Sequence, residues 1–514
     1  GKYSGRFGNP PAEISYSTSM SVKISTKRST DYNDETFRGL ESDRELIVDK
    51  LENPELIETY DNKEISSETI QSYPYIIITS NALKNHDDSY NFQRLLNYRG
   101  VQGLSGKIVT IEEIENDFEG ENRAEKIRNF ISYAYKNWHT DYVLLGGDDG
   151  VIPAKELNSN SVNVPSDLYY SCLDGDGPSG YVDDIMSEVY IGRAPVETTD
   201  EVSNFVRKTL SYEVSSADDG DDYLNNALWS GEYLCGPQSP LEPYGVNTWG
   251  KDYKEETVGD EGLPVGDTGF NLETLYDKDV SSEYSGGWDS LEMIDKINSG
   301  VNLVSHVGHG AVESDLKIVS SYVDSMTNYN ENFFVYSQSC LSGRFTEDDC
   351  FAETLTVKNN AGAFAAVMNT GNGYGVSGST NGPSQQFDKS FWKNLFDEEK
   401  APLLGTAHQI SKEDNINLID FSRMRDVYYS STLFGDPAVG IKGTPGEQSA
   451  PSEGDNVLLG TSSTSENDGM NSQEDGDEPV ADDPNTYKIY VDPEYVSYGA
   501  NTSISYKLKK TDGE

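Results

Sequence analysis

Short apolar runs separated by amphipathic stretches dominate the chain from about residue 73 to residue 440. Residues 75–79 (YIIIT) form a β-branched run that suits a strand buried on both faces. Residues 92–99 (FQRLLNYR) predict a helix, 107–111 a strand, and 142–145 a further strand ending in Gly146-Gly147-Asp148-Asp149. Between them, Ala124, Ile127, Phe130, Ile131 and Ala134 recur at three- and four-residue spacing, which predicts a helix over 121–138. A strand at 188–192 and a helix at 202–212 continue the alternation. A second run opens at 227–232 and continues through a helix at 290–298 and strands at 301–306, 333–337 and 363–368. Alternating strand and helix predict an α/β fold of two consecutive subdomains, 71–225 and 226–445, with mostly parallel sheets.

The pattern fails at both ends. Residues 1–70 are polar and irregular and read as an N-terminal extension or pro-segment remnant, and the start at Gly1 fits a processed product. Residues 446–484 are rich in Ser, Gly, Glu, Asp and Pro and read as a flexible acidic linker. Residues 487–491 and 501–508 then predict strands of a truncated all-β segment over 485–514.

Charge narrows the function. Lys and Arg total 39 against 88 Asp and Glu, a net charge of −49. Such a chain is repelled by nucleic acid and by anionic membranes and favours cationic partners. No apolar run reaches the roughly 18 residues that a membrane-spanning helix needs. The four cysteines (Cys172, Cys235, Cys340 and Cys350) contain no CxxC pair and make no disulfide scaffold.

The densest chemical signal is VNLVSHVGHG (301–310) followed by FFVYSQSC (333–340). Each is an apolar strand that ends in a reactive residue. Parallel strands deliver their C-terminal ends to one edge of the sheet, where α/β proteins place their sites. His309 lies between Gly308 and Gly310, which permit close backbone approach. A thiol with an ordinary pKa near 8.5 needs a neighbouring imidazole to become a nucleophile, so Cys340 and His309 form a candidate dyad. The N–H groups of Gly310 and Cys340 are candidates for an oxyanion hole. His306, three residues before His309, points to the opposite face of a strand, and Cys350 among acids (EDDCFAE) reads as structural.

At these residues the chain resembles the gingipain family of cysteine peptidases, in the caspase-like clan. The likeness runs through YVLLGGDDGVIPA (142–154), SDLYY (166–170), EVYIGRAP (188–195), VGHG (307–310), FFVYSQSCLSGRFTEDDCFAETL (333–355) and LFGDP (433–437). It implies a secreted cysteine endopeptidase, made as a self-processing zymogen, with a caspase-like catalytic unit followed by an immunoglobulin-like segment. It also implies that Cys340 is the nucleophile and His309 its base. Glu232 in ALWSGEYL (227–234) corresponds to the carboxylate that orients the histidine. Asp252 in WGKDYKEE (249–256) corresponds to the acid at the floor of the S1 pocket, which selects Arg or Lys. One departure is visible: NTGNGYG (369–375) lacks the Trp that covers S1 in arginine-specific members, and Tyr374 is the nearest aromatic.

The loop at 166–184 carries Asp174, Asp176, Asp183 and Asp184, hard oxygen donors of the kind Ca²⁺ takes, and the resemblance also implies structural calcium. A different reading stays open: a non-catalytic, calcium-dependent extracellular binding or adhesion protein on the same fold. An acyl-transfer enzyme that ligates rather than hydrolyses is a third.

Overall fold

In the computed structural model, the described residues are 72–443 apart from 160–161, 175–184, 217–220, 237–246, 259–268, 281–286, 348, 377–378, 397–402 and 422. Residues 20–23, 486–490, 507–509 and five positions between 38 and 48 are described as well. The N-terminal extension and the acidic linker expected from the sequence therefore lie almost wholly outside the described residues.

Ten strands form one sheet: β1 (Tyr75–Thr79), β2 (Gly106–Thr110), β3 (Tyr142–Gly146), β4 (Tyr190–Ala194), β5 (Asn226–Gly231), β6 (Asn271–Tyr276), β7 (Leu303–Val307), β8 (Phe333–Ser337), β9 (Ala363–Asn369) and β10 (Ser431–Phe434). Their spatial order is β6-β5-β7-β8-β9-β10-β4-β3-β1-β2. The sequence predicts two subdomains in succession. The structure joins their strands edge to edge, so that both share a single sheet.

Alternation of side chains explains why the strands read as continuous apolar runs. Ile76 and Ile78 of β1 pack into one core and Tyr75 and Ile77 into another, because helices cover both faces. Ala124, Ile127, Phe130, Ile131 and Ala134 of helix Arg123–Trp138 fill the first core. The Asn122 side chain caps that helix by accepting from the Glu125 N–H, and the helix ends at left-handed His139. Val202, Phe205, Val206 and Leu210 of helix Thr199–Val214 fill the other core. In the second subdomain Ala227 and Trp229 of β5 face one core and Leu228 the other.

The seam between subdomains has a direction. β5 to β9 are mutually parallel, β9 meets β10 antiparallel, and β10 runs parallel to β4. β10 comes near the end of the second subdomain in sequence but runs with the strands of the first. The C-terminal strand ends of the two halves therefore lie at opposite edges of the sheet. The Gly147-Asp148-Asp149 turn after β3 sits on the edge away from the ends of β7 and β8. There Asp148 and Asp149 accept from the Gly150 and Ala154 N–H groups and shape the turn.

Buried Arg193 of β4 fastens the seam. Its guanidinium donates to both Asp167 oxygens (2.8 and 2.6 Å) and to the carbonyls of Gly147 (2.6 Å) and Ile152 (3.0 Å). It also lies 4.1 Å from the centre of the Phe345 ring, which belongs to the second subdomain. Its own carbonyl accepts from the Gly435 N–H at 2.8 Å.

Residues 67–447 form one compact unit, and residues 1–66 with 448–514 form another. In the second, strand Met20–Lys23 pairs antiparallel with Thr486–Tyr490, which pairs antiparallel with Lys507–Lys509. Two strand segments do occur in the C-terminal part. No immunoglobulin-like arrangement can be read from three short strands, and the first of them comes from the N-terminal part.

Removing one partner of a buried, hydrogen-bonded ion pair strands the other, at a cost of about 3–5 kcal/mol. Arg193→Leu is accordingly expected to lower unfolding free energy by about that amount, read from urea unfolding curves followed by tryptophan fluorescence.

Candidate active site

β7 and β8 are adjacent and parallel, with Leu303 opposite Phe334 and His306 opposite Ser337. Their continuations, Gly308-His309-Gly310 and Gln338-Ser339-Cys340, therefore leave the sheet side by side. The Gln338 N–H donates to the His306 carbonyl at 3.1 Å, extending the ladder. Beyond it the two loops meet backbone to backbone. A Cβ on Gly310 would sit 2.7 Å from the Cys340 carbonyl oxygen and 2.7 Å from Ser339 Oγ, so only glycine fits there.

The loop after β9 closes the Cys340 turn from the other side. The Leu341 N–H donates to Gly371 O at 2.7 Å, and Asn369 Nδ2 donates to Ser339 O at 2.8 Å. Leu341 itself is held at φ +61°, a left-handed conformation that costs a bulky L-residue about 1–2 kcal/mol. That strain is concentrated on the residue after the candidate nucleophile. Cys340 is partly exposed, and its thiol donates to Gly373 O at 3.7 Å. Among the described residues neither the Gly310 nor the Cys340 N–H has a hydrogen-bond acceptor.

His309 is exposed, and its Nε2–H donates to the Tyr233 carbonyl at 3.1 Å. A neutral imidazole bound through Nε2 keeps its lone pair on Nδ1, which is thereby the basic nitrogen. The Tyr233 backbone is itself fixed: its N–H donates to Asp277 Oδ2 at 2.8 Å, and Lys317 Nζ holds Asp277 Oδ1 at 2.6 Å.

The sequence signature of peptidase family C25 matches residues 68–442. The chain belongs to that family. Gingipain R2 of Porphyromonas gingivalis is 26% identical over 266 residues, which cover 51% of this chain and 32% of that protein. Lys-gingipain HG66 of the same organism is 26% identical over 236 residues, covering 45% of this chain and 12% of the relative. The matches thus span a third or less of these relatives. The crystal structure of the Arg-specific cysteine proteinase gingipain R superposes with a TM-score of 0.58 at 20% identity, covering 75% of this chain and 81% of that one. The fold is accordingly gingipain-like, with the large, mostly parallel sheet of the caspase-like class.

Within this family member the structure rearranges three expectations. Glu232, expected to orient His309, instead accepts from His306 Nε2 at 3.0 Å. Its influence on His309 passes through the chain, because the neighbouring Tyr233 supplies the carbonyl that binds the imidazole. The cause is the position of His306. β7 is buried on both faces, so the face opposite His309 is protein rather than solvent, and a buried imidazole there needs partners. It has Glu232 on Nε2, and Ser337 Oγ (3.0 Å) and Asp315 Oδ1 (3.1 Å) on Nδ1.

Asp252, expected at the floor of a buried S1 pocket, stands on the outside of helix Gly250–Val258. That helix buries Tyr253, Lys254 and Thr257, and its period turns residue 252 outward. The Asp252 carboxylate is 47% exposed and pairs with Lys278. The buried face of the helix is what connects to the nucleophile loop: the Tyr253 carbonyl accepts from Gln385 Nε2 (2.8 Å), whose Oε1 accepts from Gln338 Nε2 (2.9 Å). Tyr374 does not approach the thiol either. Its ring stacks under Arg423 at 5.2 Å, and its N–H donates to Ser384 Oγ.

The remaining residues are quickly placed. Cys350 is buried at the start of helix Phe351–Thr356, where its N–H donates to Glu353 at 2.7 Å, a structural role as expected. Asp174 is partly buried, and its carbonyl accepts from Arg128. Asp176, Asp183 and Asp184 lie outside the described residues. Among the described residues no group of three or more His, Cys, Asp or Glu could hold a metal ion, and no helix is long and apolar enough to cross a membrane.

Burial alone would lower the His306 pKa, but the bonds to Asp315 and Glu232 and their charges outweigh it and raise it from 6.5 to about 9. Asp315 shifts down, because His306, Ser339 and Ser342 together overcome the upward effect of burial. His306 is therefore a buried cation between two carboxylates. Cys340 moves the other way: burial, then the Asp315 charge, raise its thiol pKa. The resting group is a thiol.

A folded pKa raised above the unfolded value stabilises most at low pH. The stability that His306 contributes should be complete below about pH 6.5 and fade as pH rises through about 9. Melting temperatures of wild type and His306→Gln between pH 6 and 10 should therefore converge toward the alkaline end.

Proposed function

We propose that this chain is a cysteine endopeptidase that cleaves peptide bonds through Cys340 and His309. In this reading Nδ1 of His309 takes the thiol proton as Sγ attacks the scissile carbonyl carbon. The oxyanion is received by the N–H groups of Gly310 and Cys340. The same imidazole then protonates the leaving amine, and a water activated by His309 hydrolyses the thioester. The observation that supports the reading is the contact of the two strand-end loops, which sets Gly310, the residue after His309, against Cys340. The thiol bonds to Gly373 rather than to His309 and burial raises its pKa, so in this reading proton transfer belongs to the encounter with substrate.

Substrates with Arg or Lys before the scissile bond are the proposed class. The support is a net charge of −49, which draws cationic chains, together with the Arg- and Lys-directed names of the relatives. Secretion and maturation from a self-processed zymogen are proposed on the same footing. Calcium is proposed for the stretch from Asp174 to Asp184, on its four carboxylates.

A panel of fluorogenic peptides with Arg, Lys, Asp, Asn or Leu at P1 tests the reading, with calcium and with chelator. Hydrolysis after Arg or Lys is expected, and Cys340→Ala should lower it by at least about a thousandfold. Asp252→Asn should change kcat/KM by no more than about twofold, since an exposed ion pair contributes little. No cleavage of any peptide by the wild type, even after limited proteolysis of the N-terminal part, would move the protein to a binding function on a peptidase fold.

A further inference from the structure

Six buried polar side chains that the proposed chemistry does not use form one network beside it. His306 Nε2 bonds to Glu232, and Nδ1 faces Asp315 and Ser337. Asp315 continues the chain. Its Oδ1 accepts from Ser337 Oγ at 3.1 Å and its Oδ2 from Ser339 Oγ at 2.5 Å. Ser339 Oγ lies 3.0 Å from Ser337 Oγ and 3.1 Å from Ser342 Oγ. One end of this network is the residue before Tyr233, whose carbonyl holds the His309 imidazole. The other end is the residue before Cys340.

The backbone between the two ends is in contact with the network as well. A Cβ on Gly308 would lie 2.4 Å from the Glu232 carboxyl carbon and 2.5 Å from His306 Nε2. The loop that carries His309 is thus pressed onto the Glu232–His306 pair. The Glu232 N–H also donates to the Val307 carbonyl at 3.0 Å.

We infer that His306 is a positioning residue for both halves of the dyad, bridging Glu232 and Asp315 so that the His309 loop and the Cys340 loop hold one relative placement. This rests on the peptidase reading above. His306 touches neither the thiol nor the substrate carbonyl. It acts through two carboxylates, one on each side. Its charge state decides whether they are bridged: a cation donates from both ring nitrogens, whereas a neutral ring donates from one only. Every element packed on His306 contributes to that choice. Glu232 follows β5, Asp315 lies on the loop after β7, Ser337 ends β8, and the Trp288 ring stands edge-on with its centre 6.3 Å away. Lys317, whose ammonium lies 4.3 Å from the centre of the Trp288 ring, is taken by Asp277 and the Trp288 carbonyl.

Two variants test the inference. His306→Gln keeps a side chain able to bond one carboxylate but removes the charge. Ser339→Ala removes only the hydroxyl that joins Asp315 to the Cys340 loop, a change small enough to fold even where the first does not. For each, kcat and KM on the best peptide would be measured. The rate of Cys340 alkylation by iodoacetamide would be followed from pH 6 to 10, beside the melting temperature. Expected is a fall in kcat of about tenfold or more for His306→Gln and about threefold or more for Ser339→Ala, with KM changed less than about threefold. Wild-type kcat should also decline as the pH rises through the range where His306 loses its proton. That alkaline limb should be missing in His306→Gln and kept in Ser339→Ala. Packing support alone would lower the melting temperature without moving the limb. Folded variants that keep wild-type kcat, or the same alkaline limb in His306→Gln as in wild type, would overturn the inference and leave the peptidase reading intact. Wild-type Cys340 that neither cleaves peptide nor alkylates faster than Cys235 would overturn both.

Discussion

The parallel pairing of β7 with β8 is the constraint on which the site depends. The last registered pair is His306 with Ser337, and His309 and Cys340 each lie three residues beyond it. Both reactive residues therefore follow closely on one registered pair at the same edge of the sheet. β7 and β8 are both interior strands of the ten-stranded sheet, and sites on such elements are held more closely than sites on free loops. The two loops that carry the proposed dyad are thus anchored by backbone hydrogen bonds before any side chain of the site is considered.

That placement creates a problem and the fold answers it. Strand ends in a sheet covered on both faces leave polar backbone and side chains inside apolar surroundings. The chain supplies carboxylates and hydroxyls at those depths, and the buried His306 charge is matched from both sides rather than one. The glycines follow from the same crowding. Gly308 makes room for the Glu232–His306 pair, Gly310 for the Cys340 backbone, and Gly373 for the Gln338 carbonyl, 2.1 Å from where a Cβ would stand. VGHG is in this sense a packing motif as much as a chemical one.

Much of this was legible in the sequence. Period-two and period-three-to-four patterns located the strands and helices of the central sheet because burial on both faces writes itself as apolar runs. The sequence put His309 and Cys340 forward because each ends such a run. What was not legible was which histidine Glu232 serves. Alternation along VSHVGHG correctly turned His306 away from His309, but alternation says nothing about whether the far face meets solvent or protein. Burial of that face is a tertiary fact, decided by Trp288 and Asp315, which lie outside the strand. A polar residue inside LVSHV, a strand otherwise apolar, was the available hint that a partner acid must lie nearby. Asp252 failed for a similar reason. Helical period places it beside, not on, the face formed by Tyr253, Lys254 and Thr257, and spacing to Glu232 alone could not reveal that. The joining of both subdomains into one sheet was hidden because β10 lies far along the chain from the strand it extends.

The antiparallel meeting of β9 and β10 has a functional consequence. It turns the strand ends of the first subdomain, with their Gly-Asp turn, to the far edge of the sheet, so the first subdomain cannot lend those acids to the thiol. This matters electrostatically. A thiol raised by burial and by the Asp315 charge can be activated only by a base brought close to it, and each further nearby carboxylate would raise it more. In a chain of net charge −49, keeping one half's acidic turn off the catalytic edge is therefore a condition for the Cys340 chemistry. Asp315, a carboxylate that does reach the nucleophile loop through Ser339, is paired with His306.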